Sequence, residues 1–542
     1  MATSRSDHSA RSSLRKDASR AWPERRLFGR VLIANRGEIA VRIIRACHEL
    51  GMEPVAVYSD ADAGAGHVRL ADHAVRLGPP PAAESYLRID AVVEAALETG
   101  AQAIHPGYGF LAERPAFARA VEEAGLVFVG PSSAAIEALG DKLHARRIAH
   151  EVGVPVVPGT LEPAPVDDVG PIAAIAAEAE RVGFPLLVKA AAGGGGRGMR
   201  RVADPGELAA ALVSGSREAM SAFGDGAVYL EREIRPARHV EVQLLGDAMG
   251  RVVAVGERDC SLQRRHQKLV EEAPAPGLTP EVRRRLHAMA VDVATAAGLV
   301  NAATAEFLLA PDGSFFFLEV NTRLQVEHGV TELVGGLDIV REQFRLAAGL
   351  PLSEAALRAA AAAAEPGSHA IEVRISAEDP ALAFAPTPGT VTHWVMPSGP
   401  GVRVDTAIEA GDRVPPDYDN LIAKVMVHAT DREAAIARLR RALGETEVGG
   451  IQTTVPFHLH VVRDPAFRAA DVSTTWVDEC WDGPRSLAAV TPIGQLAAGL
   501  DAIGTHEHAP TGAITSVDDD RTDRTPWRAV GAQAAVDRWP AR

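Results

Sequence analysis

From residue 30 the chain opens with a short apolar run, RVLIA, that ends in NRGE. IAVRIIRACHELG follows with apolar residues at helical spacing and Gly51 as a stop, and then comes a second apolar run, PVAVYS. This β–α–β opening predicts a doubly wound parallel sheet. The pattern continues through AIHPGYGF (103–110), a helix near 115–124, LVFVGP (126–131) and a helix over 141–151 before the loop VGVPVVPGT. Residues 162–171, rich in Pro, Asp and Val, read as a loop or link. From 185 the period shifts. PLLVKAAAGGGGRGMRRV predicts a strand, a glycine loop and a second strand, followed by a helix over 205–222. YLEREI, HVEVQLLGD and GRVVAVGERDC then alternate with period two, as an antiparallel sheet does. A helix over 279–297 leads into a hairpin, ATAEFLLAPDGSFFFLEVNTR, turning at Pro311-Asp312-Gly313. An Ala-rich helix at 352–365, short strands over 370–428 and a last amphipathic helix at about 431–443 complete the ordered pattern.

At 542 residues the chain needs more than one core. Hydrophobic content of 47% and charged content of 23% are those of a soluble globular protein. A formal net charge of -15 argues against a general nucleic-acid or anionic-membrane binder, and no apolar run is long enough to span a bilayer. Three cysteines, Cys47, Cys260 and Cys480, lie far apart without CxxC spacing, which points to a reducing, cytoplasmic setting. The first 26 residues lack the apolar core of a secretory signal, and Asp7, Asp17 and Glu24 disfavour a transit peptide, so a disordered tail is expected. Among 56 basic residues only five are lysines: Lys16, Lys142, Lys189, Lys268 and Lys424. Where arginine is the default cation, a retained lysine marks a place that needs a compact ammonium.

Three segments carry chemistry. In AAGGGGRGM (191–199) consecutive glycines let backbone N–H groups close on phosphate oxygens. The segment is not a GxxxxGK[ST] loop, and Lys189 stands just before it on the strand. In the 305–321 hairpin, period two can place Glu306, Glu319 and Asn321 on one face, a hard-oxygen set suited to Mg²⁺ on nucleotide phosphates. The alternative is a polar solvent face, but Phe307, Leu308, Phe316, Phe317 and Leu318 imply burial, where unpaired carboxylates are costly. Immediately after, NTRLQVEHGVTE supplies Arg323, Gln325 and Glu327: a cation for an oxyanion, an amide and a base.

Together these resemble the ATP-grasp superfamily. IANRGEIAVRIIRACHELG, IHPGYGFLAE, GDKLHARRIA, GGGGRGM, RHVEVQLLGD, ERDCSLQRRHQKLVEEAPAP, FLEVNTRLQVEHGVTE and IEVRISAEDP, in that order over roughly residues 28 to 480, sharpen the resemblance to biotin carboxylase. It implies an N-terminal doubly wound parallel-sheet domain (27–140), a central ATP-grasp fold (141–350) with a mobile lid lobe at about 160–235, and a C-terminal mixed α/β barrel-like domain (365–478). Residues 485–542 form an extension without assigned role. The activity implied is ATP-dependent phosphorylation of bicarbonate to carboxyphosphate, which carboxylates biotin on a carrier protein.

Carried over residue by residue, the resemblance implies that Lys142 and Lys189 hold ATP phosphates beneath Gly195 and Gly196. Glu231 reads the adenine edge, and His239, Gln263 and His266 line the ribose and phosphate side. Glu306, Glu319 and Asn321 ligate two Mg²⁺ or Mn²⁺ ions. Lys268, Arg323, Gln325, Val326 and Glu327 hold bicarbonate, with Glu327 as base. Arg374 and Arg323 stabilise the biotin enolate, and Tyr108 borders the biotin site. Arg264 and Arg265 receive no role from it and are expected to pair with Glu271 and Glu272. The chain departs from the family at Ala192, at Glu113-Arg114 and at Ser368, none of which removes a catalytic group. Since no lysine follows Lys424, residues 485–542 hold no biotinylation site. The implied partners are a biotin carboxyl carrier protein and carboxyltransferase subunits of an acetyl-CoA, propionyl-CoA or related carboxylase, as in fatty acid biosynthesis, with a homodimer expected. Two rivals remain: another ATP-grasp ligase, which RDCSLQRRHQK and Arg374 disfavour, and a catalytically silent subunit, which the intact charged set disfavours.

Overall fold

A computed structural model describes residues 27–164, 172–191 and 199–486, with isolated positions at 488, 492, 495 and 496. The tail, Gly195 and Gly196 lie outside the described residues, as does nearly all of the 485–542 extension.

The opening forms as its pattern predicts. Strand β1 (Arg30–Ile33) leads to helix α1 (Gly37–Glu49) and strand β2 (Glu53–Ser59). The α1 stripe of Ile39, Ala40, Ile43, Ile44 and Cys47 is buried, and Gly51 at φ 71° ends the helix. With β3 (His73–Gly78), β4 (Ala103–His105) and β5 (Val127–Phe128) these make a parallel sheet of order β3-β2-β1-β4-β5. Ligands of such sheets bind at the carboxyl ends of the strands, where the order reverses. Here that point lies between β1 and β4; Glu38 stands in the first turn of α1, just after β1, and Tyr108 in the loop leaving β4.

A small antiparallel sheet of order β7-β6-β8 follows helix α2 (Lys142–Glu151), from β6 (Leu186–Ala190), β7 (Arg200–Val202) and β8 (Val228–Arg232). The main sheet is antiparallel throughout. It takes β9 (Arg238–Gly246), β10 (Val252–Arg264), β11 (Gln267–Ala273), β12 (Asn301–Leu309), β13 (Phe315–Asn321), β14 (His369–Ser376), β15 (Val402–Thr406) and β16 (Leu421–Ala429). Its order is β13-β12-β9-β10-β11-β14-β16-β15. The resemblance treats residues 141–350 and 365–478 as separate domains, and their strands join at the β11–β14 ladder, where Glu271 pairs with Glu372. Short-range periodicity reports which face a residue takes but not which strand lies beside it.

Alternation gives this sheet two unlike faces. One packs on helix α3 (Pro280–Ala296), with Val240, Val242 and Leu244 against Leu286, Ala290 and Val293. Further along, Ile371, Val373 and Ile375 meet Ile436, Leu439 and Leu443 of helix α5 (Arg432–Glu445). The other face is charged, and helix α4 (His328–Gly335) lies over part of it. Gly329 permits that approach, since a Cβ there would sit 2.3 Å from Met426 Sδ. After α5, short helices Val455–Val461, Pro465–Arg468 and Trp476–Cys480 continue the chain beyond the helix that the pattern takes as last.

Candidate active site

Direct cross-strand pairing aligns Glu319, Glu306, Glu241 and Arg258 across β13, β12, β9 and β10. Further along the same sheet Arg374, Lys424 and Asp405 align across β14, β16 and β15. Lys268 on β11 joins the two groups. Its ammonium donates to Glu241, to Glu306 Oε1 at 3.0 Å and to Glu327 Oε1 at 2.7 Å. An ammonium carries three N–H donors, and here three buried carboxylates receive them. Glu327 Oε2 accepts from Arg374 Nη2 at 2.9 Å, while Arg374 Nε donates to Glu271 Oε1 at 2.6 Å.

Arg258 anchors this face from below. Fully buried, it donates to Glu241 Oε1 (2.6 Å), Gln243 Oε1 (2.9 Å), Thr331 Oγ1 (2.8 Å) and Thr304 Oγ1 (3.2 Å). Such pairing is what makes a charged interior tolerable, because an unpaired buried ion is strongly destabilising. Burial pushes the Glu327 carboxyl up, but Lys268, Arg374 and Arg258 more than offset it and hold it well below the usual range. Glu306 behaves alike: burial raises it, and Lys268 and His239 pull it well below. For Glu271 burial dominates over Arg374, and with Glu327 nearby its carboxyl is pushed up to about 7.

The hairpin expectation is realised. Glu306 faces Glu319 in register, and Asn321, two residues on, reaches Glu306 Oε1 with its Nδ2 at 2.8 Å. Gly313 at φ 82° makes the turn. A bulge after Glu306 keeps both carboxylates on one side. Glu319 is 29% exposed and lies 3.2 Å from Lys142 Nζ at the start of α2. A half-open carboxylate beside a buried carboxylate and an amide oxygen on one face fits a hard divalent cation. His239, Glu241 and Glu306 also converge, within 4.8 Å, but there Lys268 already supplies the positive charge.

Arg323 is tied at several points: Nη2 to Asn321 Oδ1 (3.0 Å), Nη1 to Gln325 Oε1 (2.7 Å) and Nε to Glu113 Oε2 (2.9 Å). Glu113 thus links the β4 loop to the site. His239 Nε2 lies 3.1 Å from Glu306 Oε2, and Gln263 is buried opposite Lys268. Lys189 on β6 pairs with Glu231 on β8, whose other oxygen takes Arg146 Nη1 at 2.5 Å. The Glu231 carboxylate is therefore committed to two cations. His266 sits exposed with Arg265 in the two-residue β10–β11 turn, both with left-handed backbone (φ 67° and 48°). Tyr108 Oη donates to Glu38, and Val326 offers its carbonyl to Lys424.

One expectation fails. Arg264 and Arg265 do not pair with Glu271 and Glu272, because Arg374 takes Glu271 while Arg432 and His369 take Glu272. Arg264 instead lies over the Phe384 ring, 4.8 Å from its centroid. Glu241, Arg258, Glu271 and Arg146 belong to the site's frame but carry no signal in isolation. For Glu241 the alternation of His239, Glu241 and Gln243 was the available clue.

Comparison with known proteins decides what this arrangement belongs to. Residues 27–136 match the biotin carboxylase N-terminal domain, 141–355 the carbamoyl-phosphate synthase L chain ATP-binding domain, and 372–479 the biotin carboxylase C-terminal domain. A biotin carboxylase of Pseudomonas aeruginosa is 48% identical over 457 residues, covering 84% of this chain and 98% of that one. The chain belongs to the biotin carboxylase family. It is an ATP-dependent ligase that carboxylates biotin with bicarbonate. A pyruvate carboxylase subunit of Methanothermobacter thermautotrophicus is 45% identical over 502 residues, 90% of this chain and all of that one. The biotin-dependent acyl-coenzyme A carboxylase alpha3 subunit of Mycobacterium leprae is 48% identical over 461 residues, 84% of this chain and 75% of that one. Among solved structures, the biotin carboxylase domain dimer of Hydrogenobacter thermophilus 2-oxoglutarate carboxylase, with MgADP, ADP and bicarbonate, superposes at TM-score 0.79. It is 43% identical and covers 83% of this chain and 97% of that one. Among the described residues no helix is long and apolar enough to cross a membrane.

Proposed function

We propose that this biotin carboxylase is the first-half-reaction subunit of a cytoplasmic acyl-CoA carboxylase, with acetyl-CoA or propionyl-CoA as the final acceptor. Its biotin arrives on a separate carrier protein, and carboxyltransferase subunits complete the assembly. The likeness to an acyl-coenzyme A carboxylase subunit supports this acceptor. The dimeric state of the Hydrogenobacter domain supports a homodimer.

The observation that carries the site assignment is Glu327, buried between Lys268 and Arg374 with one oxygen on each. Bicarbonate enters among Lys268, Arg323, Gln325 and the Val326 backbone, and draws the two cations toward its own charge. Lys268 then holds Glu327 less firmly, and the carboxylate gains the basicity to take the bicarbonate proton. The freed oxygen attacks the γ-phosphorus of ATP, the bond to the β–γ bridging oxygen breaks, and ADP leaves. Lys142 and Lys189 hold the phosphates. Glu231 fixes Lys189, so the adenine edge falls to the backbone beside it, and His239, Gln263 and His266 flank the ribose. Glu306, Glu319 and Asn321 are the residues to hold Mg²⁺ or Mn²⁺, which neutralises phosphate charge when bound.

Carboxyphosphate gives CO₂ and phosphate. The phosphate takes the N–H proton of biotin, and the nitrogen bonds to CO₂. Arg374 and Arg323 face the enolate oxygen that develops, with Tyr108 at the edge.

The test is ADP release that depends on both bicarbonate and free biotin, followed by isolation of the native complex. Release without either co-substrate would remove the assignment. A keto-acid carboxyltransferase in the complex would replace the acyl-CoA acceptor.

A further inference from the structure

Lys424 touches no residue assigned to ATP or metal, yet it is one of only five lysines in the chain. It stands on β16 between Arg374 on β14 and Asp405 on β15, and is fully buried. Its ammonium donates to the Val326 carbonyl at 2.8 Å, and lies 3.2 Å from Glu38 Oε1 and 3.8 Å from Asp405 Oδ2.

We propose that Lys424 is a positioning residue for the bicarbonate-binding turn, holding the Val326 carbonyl so that Gln325 and Glu327 keep their aim, and coupling that turn to Tyr108 through Glu38. The proposal rests on the bicarbonate reading of residues 325–327.

Several features favour this over plain charge neutralisation. Asp405 has direct contacts of 3.0 and 2.7 Å with Arg403, whereas Lys424 stands 3.8 Å away and acts on it only through its charge. The shortest contact of Lys424 goes instead to a backbone carbonyl, flanked by two of the residues that face bicarbonate. The neighbouring carbonyl, Gln325 O, is held by His328 Nδ1 at 2.7 Å. Two buried side chains thus pin consecutive carbonyls of one turn, immediately before α4 begins at His328. Glu38 brings in the N-terminal sheet. It sits in the first turn of α1, accepts from Tyr108 Oη, and meets the same ammonium. Acceptors converge here from three separate segments, an arrangement that a tetrahedral ammonium satisfies and a flat guanidinium does not.

Lys424→Met removes the donor at similar length but strands Glu38 without its cation. Lys424→Met/Glu38→Gln removes both charges, which relieves the stranded carboxylate without restoring the bond to Val326. The full chain is assayed for the KM of bicarbonate and of ATP, for MgADP binding by calorimetry, and for its thermal midpoint, with Lys268→Met alongside. We expect the double variant to recover most of the midpoint lost in the single one. Its KM for bicarbonate should stay raised by about tenfold, the worth of one charge-assisted hydrogen bond, while nucleotide constants remain close to wild type. A folded double variant with a wild-type bicarbonate KM would overturn the proposal. So would bicarbonate and nucleotide constants that worsen in parallel, or a failure of both variants to fold, since each describes a purely structural ion pair. If Lys268→Met also leaves bicarbonate use intact, the bicarbonate reading itself has failed. If Lys268→Met abolishes it while Lys424→Met does not, only the role of Lys424 is lost.

Discussion

Replacing Lys268 by arginine keeps the charge and changes only its shape. The ammonium meets Glu241, Glu306 and Glu327 from three directions, at 3.0 and 2.7 Å for the latter two. A guanidinium holds all its N–H donors in one plane on a longer stem, so three carboxylates placed around a tetrahedral ammonium cannot all be met without displacing one. Each charge-assisted bond lost to a buried carboxylate costs about 1.5–3 kcal/mol. With one bond lost and a second distorted, the deficit is about 4 kcal/mol, or roughly a thousandfold in kcat/KM. Protonation does not confuse the comparison. Burial lowers the Lys268 pKa, but Glu241, Glu306 and Glu327 more than compensate and raise it well above its ordinary value. Its stabilising contribution is therefore fully present below the unfolded-state pKa and is lost only as pH rises through the still higher folded value. The assay is bicarbonate- and biotin-dependent ADP release near neutral pH, with the thermal midpoint and MgADP binding as controls for folding. A Lys268→Arg variant within a few-fold of wild type would refute the need for an ammonium at this position.

Glu327→Gln should bind MgATP almost normally by calorimetry and lose bicarbonate-dependent turnover; wild-type-like turnover would remove Glu327 as base. Arg258→Met leaves Glu241 buried without one of its two cations and should cost about 3–5 kcal/mol, read as a drop in the thermal midpoint; an unchanged midpoint would mean that Lys268 alone suffices. With its carboxyl raised to about 7, Glu271 contributes stability that is complete below its unfolded-state pKa and is lost as pH rises through about 7. The midpoint of wild type relative to Glu271→Gln should accordingly fall from about pH 5 to about pH 8, and a difference independent of pH would contradict that titration. Removal of divalent cations should abolish ADP release and added Mg²⁺ or Mn²⁺ restore it, with Glu319→Gln demanding more metal for half-maximal rate.

Local pattern was enough for the elements. The stripe of α1 with its glycine stop, and the period-two strands β8, β9, β10, β12 and β13, follow from positions a few residues apart, because face and capping are local properties. The hairpin was legible for the same reason, since Pro311-Asp312-Gly313 fixes the turn, but strict alternation would set Glu319 opposite Ala305, and only the bulge after Glu306 brings the two carboxylates to one side. The long motifs from IANRGEIAVR to IEVRISAEDP carried the family. Strand order is not local. Nothing in residues 267–273 announces that they pair with 369–376, and that single ladder turns two units into one sheet. It also decides which charges meet: that Arg374 takes Glu271 and leaves Arg264 to an aromatic ring, and that Glu241 shares Lys268 with Glu306 and Glu327. A buried charge is tolerated only where its partner arrives, and those partners come from strands tens to hundreds of residues away. The sequence by itself determined most of the secondary structure and the family, because periodicity, turns and long motifs are local. The tertiary structure decided their pairing, and with it the commitment of Lys424 to the carbonyl of Val326.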